Sequence, residues 1–344
     1  MSEKTVTLGD VAAVAGVSRP TVSRVLNGQG RVSEATRQRI LEAAERLDFR
    51  PNALAKFFAT GRSQTIGILT ENAPGAYTMP VLTGAVTALG RLDMAALVYD
   101  AHFDAALLRE NVRSLRARQI DGVLVIGDGG ASALRSVSSS FAVPAVYAYG
   151  FSSDPADTSF LHDGEGAGRL AGEHLLEVGR TRIAHITGPP ENHSAIARAR
   201  GLAGALERAG VGIAGGAPLW GDWTSEWGRT AAAQLLDRGV EFDGIFCGND
   251  NIAGAVIDVL RERGRTVPDD VAVVGMDNVA GMMGQNHIAL TTIDPGLVAL
   301  GAAAAEHLVA APGGEPLRGI QYQACHLVVG ASTVGPAEAV RARS

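Results

Sequence analysis

The first 27 residues restrict this chain more than any other stretch, because they spell two short helices joined through a single glycine. Thr7 is a candidate N-cap, with Asp10 three positions on, a variant of the capping box. Leu8, Val11, Ala12 and Ala15 recur at helical spacing and make one apolar stripe. Gly16 permits a sharp turn. Ser18 caps the next helix, and Pro20 lies in its first turn, where a missing N–H costs little. Val22, Val25 and Leu26 point inward, which leaves Arg19, Thr21, Ser23 and Arg24 for another surface. Ser33 caps a third helix over roughly 33–47, with Ile40, Leu41, Ala44 and Leu47 expected on its buried side. Three such helices, the second opening on an exposed basic residue, form the helix-turn-helix geometry that enters a DNA major groove.

The charge distribution agrees. Residues 1–62 carry ten Lys and Arg against six acids, a net +4, within a chain whose net charge is −6. The remainder is therefore −10. A basic head on an acidic body concentrates phosphate attraction at one end.

The rest of the chain is long enough for two packed halves. The 43 glycines and few aromatics of the whole chain suit an α/β protein with many tight strand–helix turns. Apolar strand runs alternate with helical patterns. Strands are expected at Thr65–Thr70, Ala95–Tyr99, Gly122–Ile126 and Pro144–Tyr149, with helices near 79–92 and 105–118. The pattern restarts after Asp163 with strands Arg182–Thr187, Pro218–Gly221, Gly244–Cys247 and Val271–Gly275. Helices near 165–178, 195–209, 225–238 and 251–263 separate them. Thr291–Ile293, a helix over 296–310 and the closing segments are expected to return to the first half. Two doubly wound α/β subdomains with a cleft between their strand ends result, and α/β sheets place ligands there. Cys247 and Cys325 stand alone in apolar runs and read as buried free thiols.

Residues 6–62 resemble the head of the LacI/GalR family of bacterial repressors. Gly16-Val-Ser-Arg-Pro-Thr-Val-Ser-Arg-Val-Leu-Asn27, Val32-Ser-Glu-Ala-Thr-Arg37 and Arg50-Pro-Asn-Ala-Leu-Ala55 carry the likeness, which continues to the C-terminus. The resemblance implies a head over 1–50, a hinge helix over 51–63 and a periplasmic-binding-protein-like body over 64–344. The body would divide into about 64–163 with 293–325, and about 164–292 with 326–344. It also implies a homodimer on double-stranded operator DNA, in which two heads read a near-palindrome. Arg19, Pro20 and Arg24 would face base edges, Arg24 being suited to guanine, while Ser18, Thr21, Ser23 and Asn27 hold phosphates. In the hinge, Asn52 is a good N-cap, and about seven residues make a helix that is marginal by itself. Phe58 stands where the family uses a leucine that wedges into the minor groove, so it is assigned that role or packing against the protein.

The same resemblance implies a small-molecule effector in the cleft. Arg198 opens an Arg-x-x-Gly pattern, Trp223 follows a strand, and Asn249 and Asp277 each follow a strand. Together they offer a planar donor, amide and carboxylate partners and a flat apolar face, the mixture a saccharide needs. Asn72 and Tyr77 occupy the loop after the first strand, and Tyr149 replaces an aspartate common in the family. Plainer roles stand beside these. Arg198 could be a surface charge, Trp223 core, Asp277 a turn residue, and Asp250 a helix cap and not a ligand contact. A purine co-repressor would use a similar arginine, aromatic and aspartate. A sugar-binding transport protein would share the body, but the basic head argues against it.

Enzyme chemistry finds no support. The chain has no Gly-x-Ser-x-Gly, no Walker loop and no His-Glu-x-x-His, and Gly127-Asp-Gly-Gly130 is too short to count. His162-Asp163 reads as loop hydrogen bonding and not as a metal site. No cofactor, no metal and no membrane span are expected, and the location implied is cytoplasmic.

Overall fold

The computed structural model describes residues 6–26, 32–49, 61–129, 133–282, 289–311 and 317–335. The chain forms two compact units, Met1–Gln64 and Thr65–Ser344.

In the first unit, α1 (Leu8–Ala15) begins at a complete capping box. The Thr7 N–H donates to Asp10 Oδ2 at 2.7 Å, and the Asp10 N–H donates to Thr7 Oγ1 at 3.4 Å. Gly16 ends it in the left-handed conformation, φ 66°. α2 (Arg19–Leu26) and α3 (Glu34–Arg46) follow, α3 capped by Ser33. Val11, Ala15, Val22, Val25 and Ile40 form the core of this unit. One expectation fails: Leu41 is 45% exposed, and Ala43 is buried instead. Ile40, Ala43, Ala44 and Leu47 keep an i, i+3, i+4, i+7 stripe, and Leu41 lies about a hundred degrees round from Ile40.

The second unit holds two six-stranded sheets among the described residues. The first is built from β1 (Thr65–Thr70), β2 (Ala95–Asp100), β3 (Gly122–Ile126), β4 (Ala145–Ala148), β5 (Thr158–His162) and β11 (Gly319–Gln323). Its order is β11-β5-β4-β3-β1-β2, all parallel. The second is built from β6 (Ile183–Thr187), β7 (Leu219–Trp220), β8 (Gly244–Cys247), β9 (Ala272–Met276), β10 (Thr291–Asp294) and β12 (His326–Val328). Its order is β12-β10-β9-β8-β6-β7, with only β12 antiparallel. Both sheets reverse direction beside their first strand, which opens a crevice at the carboxyl ends. Their strands are mostly buried along their whole length, as helices on both faces require.

Helices α4 (Thr78–Arg91) and α5 (Ala105–Ala117) cover opposite faces of the first sheet. Helices α6 (Gly164–Glu177) and α7 (His193–Arg208) cover one face of the second, and α8 (Ser225–Asp237) and α9 (Asp250–Glu262) the other. The short α10 (Val279–Met282) follows β9. The chain crosses back later than expected. Thr291–Ile293 stays in the second sheet as β10, and only then does α11 (Leu297–Ala310) pack against α4 and the first sheet. Strand β5 has no sequence signature, because Thr-Ser-Phe-Leu-His lacks an apolar run. Its Thr158 hydroxyl donates to the Leu317 carbonyl and Ser159 Oγ accepts from the Ser152 N–H, so both polar side chains are buried with partners. A closing helix, α12 (Ala331–Val334), is tied to the second sheet through Ser332 Oγ, which donates to the Val273 carbonyl at 2.6 Å.

Helices α6 and α7 approach each other closely. A Cβ on Gly168 of α6 would collide with the carbonyl oxygen of Arg198, and a Cβ on Gly201 of α7 with that of Glu165. The two helices therefore touch backbone to backbone, and this fixes where α7 presents Arg198.

Candidate ligand cleft and helix-turn-helix surface

In the first unit, Ser18 Oγ lies 2.8 Å from Thr21 Oγ1 and accepts from the Thr21 N–H at 3.4 Å. Arg24 Nε donates to the Pro20 carbonyl at 3.3 Å. Arg19, Pro20 and Arg24 are exposed, whereas Thr21 and Ser23 are half-buried. The capped start of α2 thus presents two guanidinium groups beside a ring with no N–H. Asn27, Asn52 and Phe58 lie outside the described residues.

In the second unit, a cavity of about 260 Å3 opens at the carboxyl ends of the strands. The first sheet contributes Tyr77 after β1, Asp128 after β3 and Tyr149 after β4. The second contributes Arg198 after β6, Trp223 after β7, Asn249 after β8 and Asp277 after β9. Six of the seven residues singled out from sequence meet here. Asn72 does not line the cavity; its carbonyl accepts from the Gly75 N–H at 3.0 Å in the turn that leads to Tyr77.

Arg198 is the centre of the polar wall and only 5% exposed. Its Nη1 donates to the Gly248 carbonyl at 2.5 Å, and its Nη2 lies 3.2 Å from His162 Nε2 and 4.0 Å from Asp277 Oδ1. The guanidinium lies 5.4 Å from the centre of the Trp223 ring, a cation–π contact. Among the described residues its Nε is buried and has no partner. His162 is not a loop residue, as the sequence suggested, but the buried last residue of β5. Burial and then the Arg198 charge push its pKa down to about 3, so the neutral ring accepts from the guanidinium. Asp163 beside it caps α6, taking the Gly166 N–H at 2.8 Å.

Asp277 faces this arginine from β9. Burial raises its carboxyl to about 7; Arg198 opposes the shift and Asp250 adds to it. Its backbone is strained, with φ 107°, and Asn278 follows at φ 51°. Three bonds hold that turn. The Asp277 N–H donates to the Ile293 carbonyl at 2.9 Å, the Asn278 N–H to Thr292 Oγ1 at 3.2 Å, and Asn278 Nδ2 to Asp294 Oδ2 at 2.9 Å. Asp250 is neither a cap nor a cavity residue. It accepts from the Thr292 hydroxyl at 2.6 Å and the Val279 N–H at 2.9 Å behind the wall, and burial raises it to about 6.

Two hydrogen bonds join the two sides, the one between Arg198 and His162 and a second from Tyr77. The Tyr77 hydroxyl donates to Asp277 Oδ2 at 2.9 Å, from the first sheet's loops to the second's. Tyr149 sits behind it, ring centres 6.4 Å apart, with φ 54° and a buried side chain. Burial, then Asp277, pushes both phenols well above their ordinary pKa, so both remain protonated donors.

Sequence reasoning missed Asp128, Asn192, Ser194 and Asn251, which also line the cavity. Asn192 and Asn249 are N-caps: Asn192 Oδ1 accepts from the Ser194 and Ala195 N–H groups, and Asn249 Oδ1 from that of Ile252. A search for Asn directly before each helix would have found Asn192. No group of three or more His, Cys, Asp or Glu could hold a metal among the described residues. Both cysteines are free and buried, and no described helix is long and apolar enough to cross a membrane.

Residues 7–52 match the bacterial regulatory proteins of the lacI family, and residues 172–333 match the periplasmic binding protein-like domain. The HTH-type transcriptional regulator CelR of Thermobifida fusca is 35% identical over 281 residues, covering 79% of this chain and 82% of that protein. The chain belongs to the LacI family. As a LacI-family protein it is a transcriptional regulator and not an enzyme. The HTH-type transcriptional repressor PurR of Vibrio atlanticus is 28% identical over 79% of the chain and 82% of its own length. A lac repressor dimer bound to operator and an anti-inducer superposes with a TM-score of 0.68 at 27% identity, over 96% of this chain and all of that one. A CelR–cellobiose complex superposes with a TM-score of 0.63 at 30% identity, over 95% and 99% of the two chains.

Proposed function

We propose that this LacI-family regulator is a repressor that binds a pseudo-palindromic operator as a dimer and responds to a small saccharide held in the cleft. The observation that carries the effector reading is the meeting of Arg198, Asp277, Tyr77, Asn249 and Trp223 at one cavity. A sugar ring presents hydroxyls around its edge and C–H groups on its faces. Asp277 accepts from hydroxyls, the guanidinium of Arg198 donates to them, and the indole of Trp223 packs on the C–H face. The volume, about 260 Å3, lies just below the range for ligand pockets, which run from roughly 300 Å3 upward. CelR, the relative crystallised with cellobiose, makes oligosaccharides the first compounds to try.

The position of the site supplies the mechanism. A ligand that touches both Tyr77 and Asp277 bonds to both sides of the cleft, and so stabilises one relative setting of the two sheets over others. The setting that binds ligand and the setting that binds operator are linked, and a coupling of about 1–3 kcal/mol is enough to switch occupancy. On the DNA side, Arg19, Pro20 and Arg24 read bases, Ser18, Thr21, Ser23 and Asn27 hold phosphates, and Asn52 and Phe58 serve the minor groove.

A thermal-shift screen of neutral sugars and purines, followed by DNA binding with each hit, tests this. Stabilisation by a sugar that also changes operator affinity is the expected result. Stabilisation by purines alone overturns the saccharide reading.

A further inference from the structure

We infer that the cleft is built to select an uncharged saccharide and to reject its phosphorylated or carboxylated derivatives. This rests on the saccharide reading and narrows it. An anion entering a cleft at strand ends ordinarily finds two kinds of host: a free cationic side chain, and the open N–H groups at a helix start. In this cleft both kinds are already engaged by the protein.

The cation is Arg198, the only Lys or Arg among the described residues that line the cavity. One of its terminal nitrogens donates to the Gly248 carbonyl, the other faces His162 Nε2, and Asp277 lies 4.0 Å away. Two of its five N–H groups already face protein acceptors, and its Nε, without a partner among the described residues, is itself buried. A phosphate or carboxylate prefers a bidentate fork, and here each terminal nitrogen already serves a protein acceptor.

The helix starts are α7 and α9. Asn192 Oδ1 occupies the first, accepting at 2.9 Å and 3.2 Å from Ser194 and Ala195, and Asn249 Oδ1 occupies the second, accepting at 2.8 Å from Ile252. Each cap places an amide oxygen where an anion's oxygen would sit. The start of α4 carries Pro80, which has no N–H, and meets a carboxylate: the Thr78 hydroxyl donates to Asp128 Oδ1 at 3.2 Å. Asp128 and Asp277 both line the cavity, and Glu71 lies close enough that Asp128 helps raise its pKa, after burial. A further negative charge placed among these meets like charge, with Arg198 as the one cationic side chain in the described lining.

The test is calorimetry on the full chain with matched pairs: cellobiose and cellobionate, glucose and glucose 6-phosphate, ribose and ribose 5-phosphate. The neutral member that binds is expected to bind at least about tenfold more tightly than its anionic partner. In Asp128→Asn, which keeps the oxygen that Thr78 needs, that ratio of neutral to anionic affinity should shrink. An anionic member that binds as well as its parent overturns the selectivity and leaves the saccharide reading in place. If only purines bind, the saccharide reading fails and this inference falls with it. Should Asp128→Asn not fold, the ratio in the unaltered protein still decides.

Discussion

The two sheets of the body share a strand order but not a chemistry. The first sheet sends two tyrosines and one aspartate into the cleft, and their hydroxyls reach it from loops. The second sends Arg198, Asn249 and Asp277, each held by further hydrogen bonds, one of Arg198's coming from His162 of the first sheet. Arg198 is held by Gly248 and His162, Asn249 Nδ2 donates to the Trp223 carbonyl at 2.9 Å, and Asp277 sits on a strained turn braced by Thr292 and Asp294. The difference teaches which side recognises and which side responds. A wall whose side chains are locked before ligand arrives loses little entropy on binding and sets specificity. A side that reaches across the cleft through Tyr77 and His162 contributes less affinity and reports closure.

Substitutions can break that division, the largest effects falling on the second sheet. Arg198→Ala or Asp277→Ala leaves a buried partner uncompensated, a loss of about 2–5 kcal/mol, so saccharide affinity by calorimetry should fall about a hundredfold or more. Trp223→Ala removes the stacking face and the cation–π contact and should cost about tenfold. Retention of full affinity in either would place recognition elsewhere.

Acidity sharpens the same comparison, because Asp277 is raised to about 7. A saccharide hydroxyl donates to the ionised form, so affinity should improve as pH rises through about 7 and level off above it. Stability runs the other way. The folded protein holds this proton above the ordinary carboxyl value of 3.8, where the unfolded chain has released it. The contribution is present at low pH and is lost as pH rises from about 4 to 7. Asp277→Asn should flatten that decline in a thermal melt, by about 1–2 kcal/mol, the stranded Arg198 charge offsetting part of the gain. The smallest change belongs to the first sheet. Tyr77→Phe removes one hydrogen bond, worth about 0.5–1.5 kcal/mol, and should weaken binding about threefold. A hundredfold loss there would reverse the assignment of the two sides.

Local signals were legible in the sequence, and long-range ones were not. Thr7, Asp10, Gly16 and Ser33 announce helix ends because a cap is decided within four residues. Trp223, Asn249 and Asp277 were found because each follows a strand run and matches the family pattern, and Arg198 because it opens the family's Arg-x-x-Gly at a helix start. Asp128 lay in a Gly-Asp-Gly-Gly stretch set aside as too short for an enzyme motif, though it too follows a strand. His162 was missed because its role depends on Arg198, 36 positions away, and on a strand whose polar residues hid it. Leu41 and Ala43 differ by two positions on α3, and only the packing of three helices decides which faces inward.

The central claim is that a small molecule in the cleft changes grip on DNA, and fluorescence anisotropy measures it directly. The duplex is a palindrome selected from a random library by the full chain, titrated with and without the saccharide that binds most tightly. The saccharide should shift operator Kd by at least about tenfold in the unaltered protein and leave Arg198→Ala unmoved. An operator Kd that stays the same when the cleft is saturated would contradict the account.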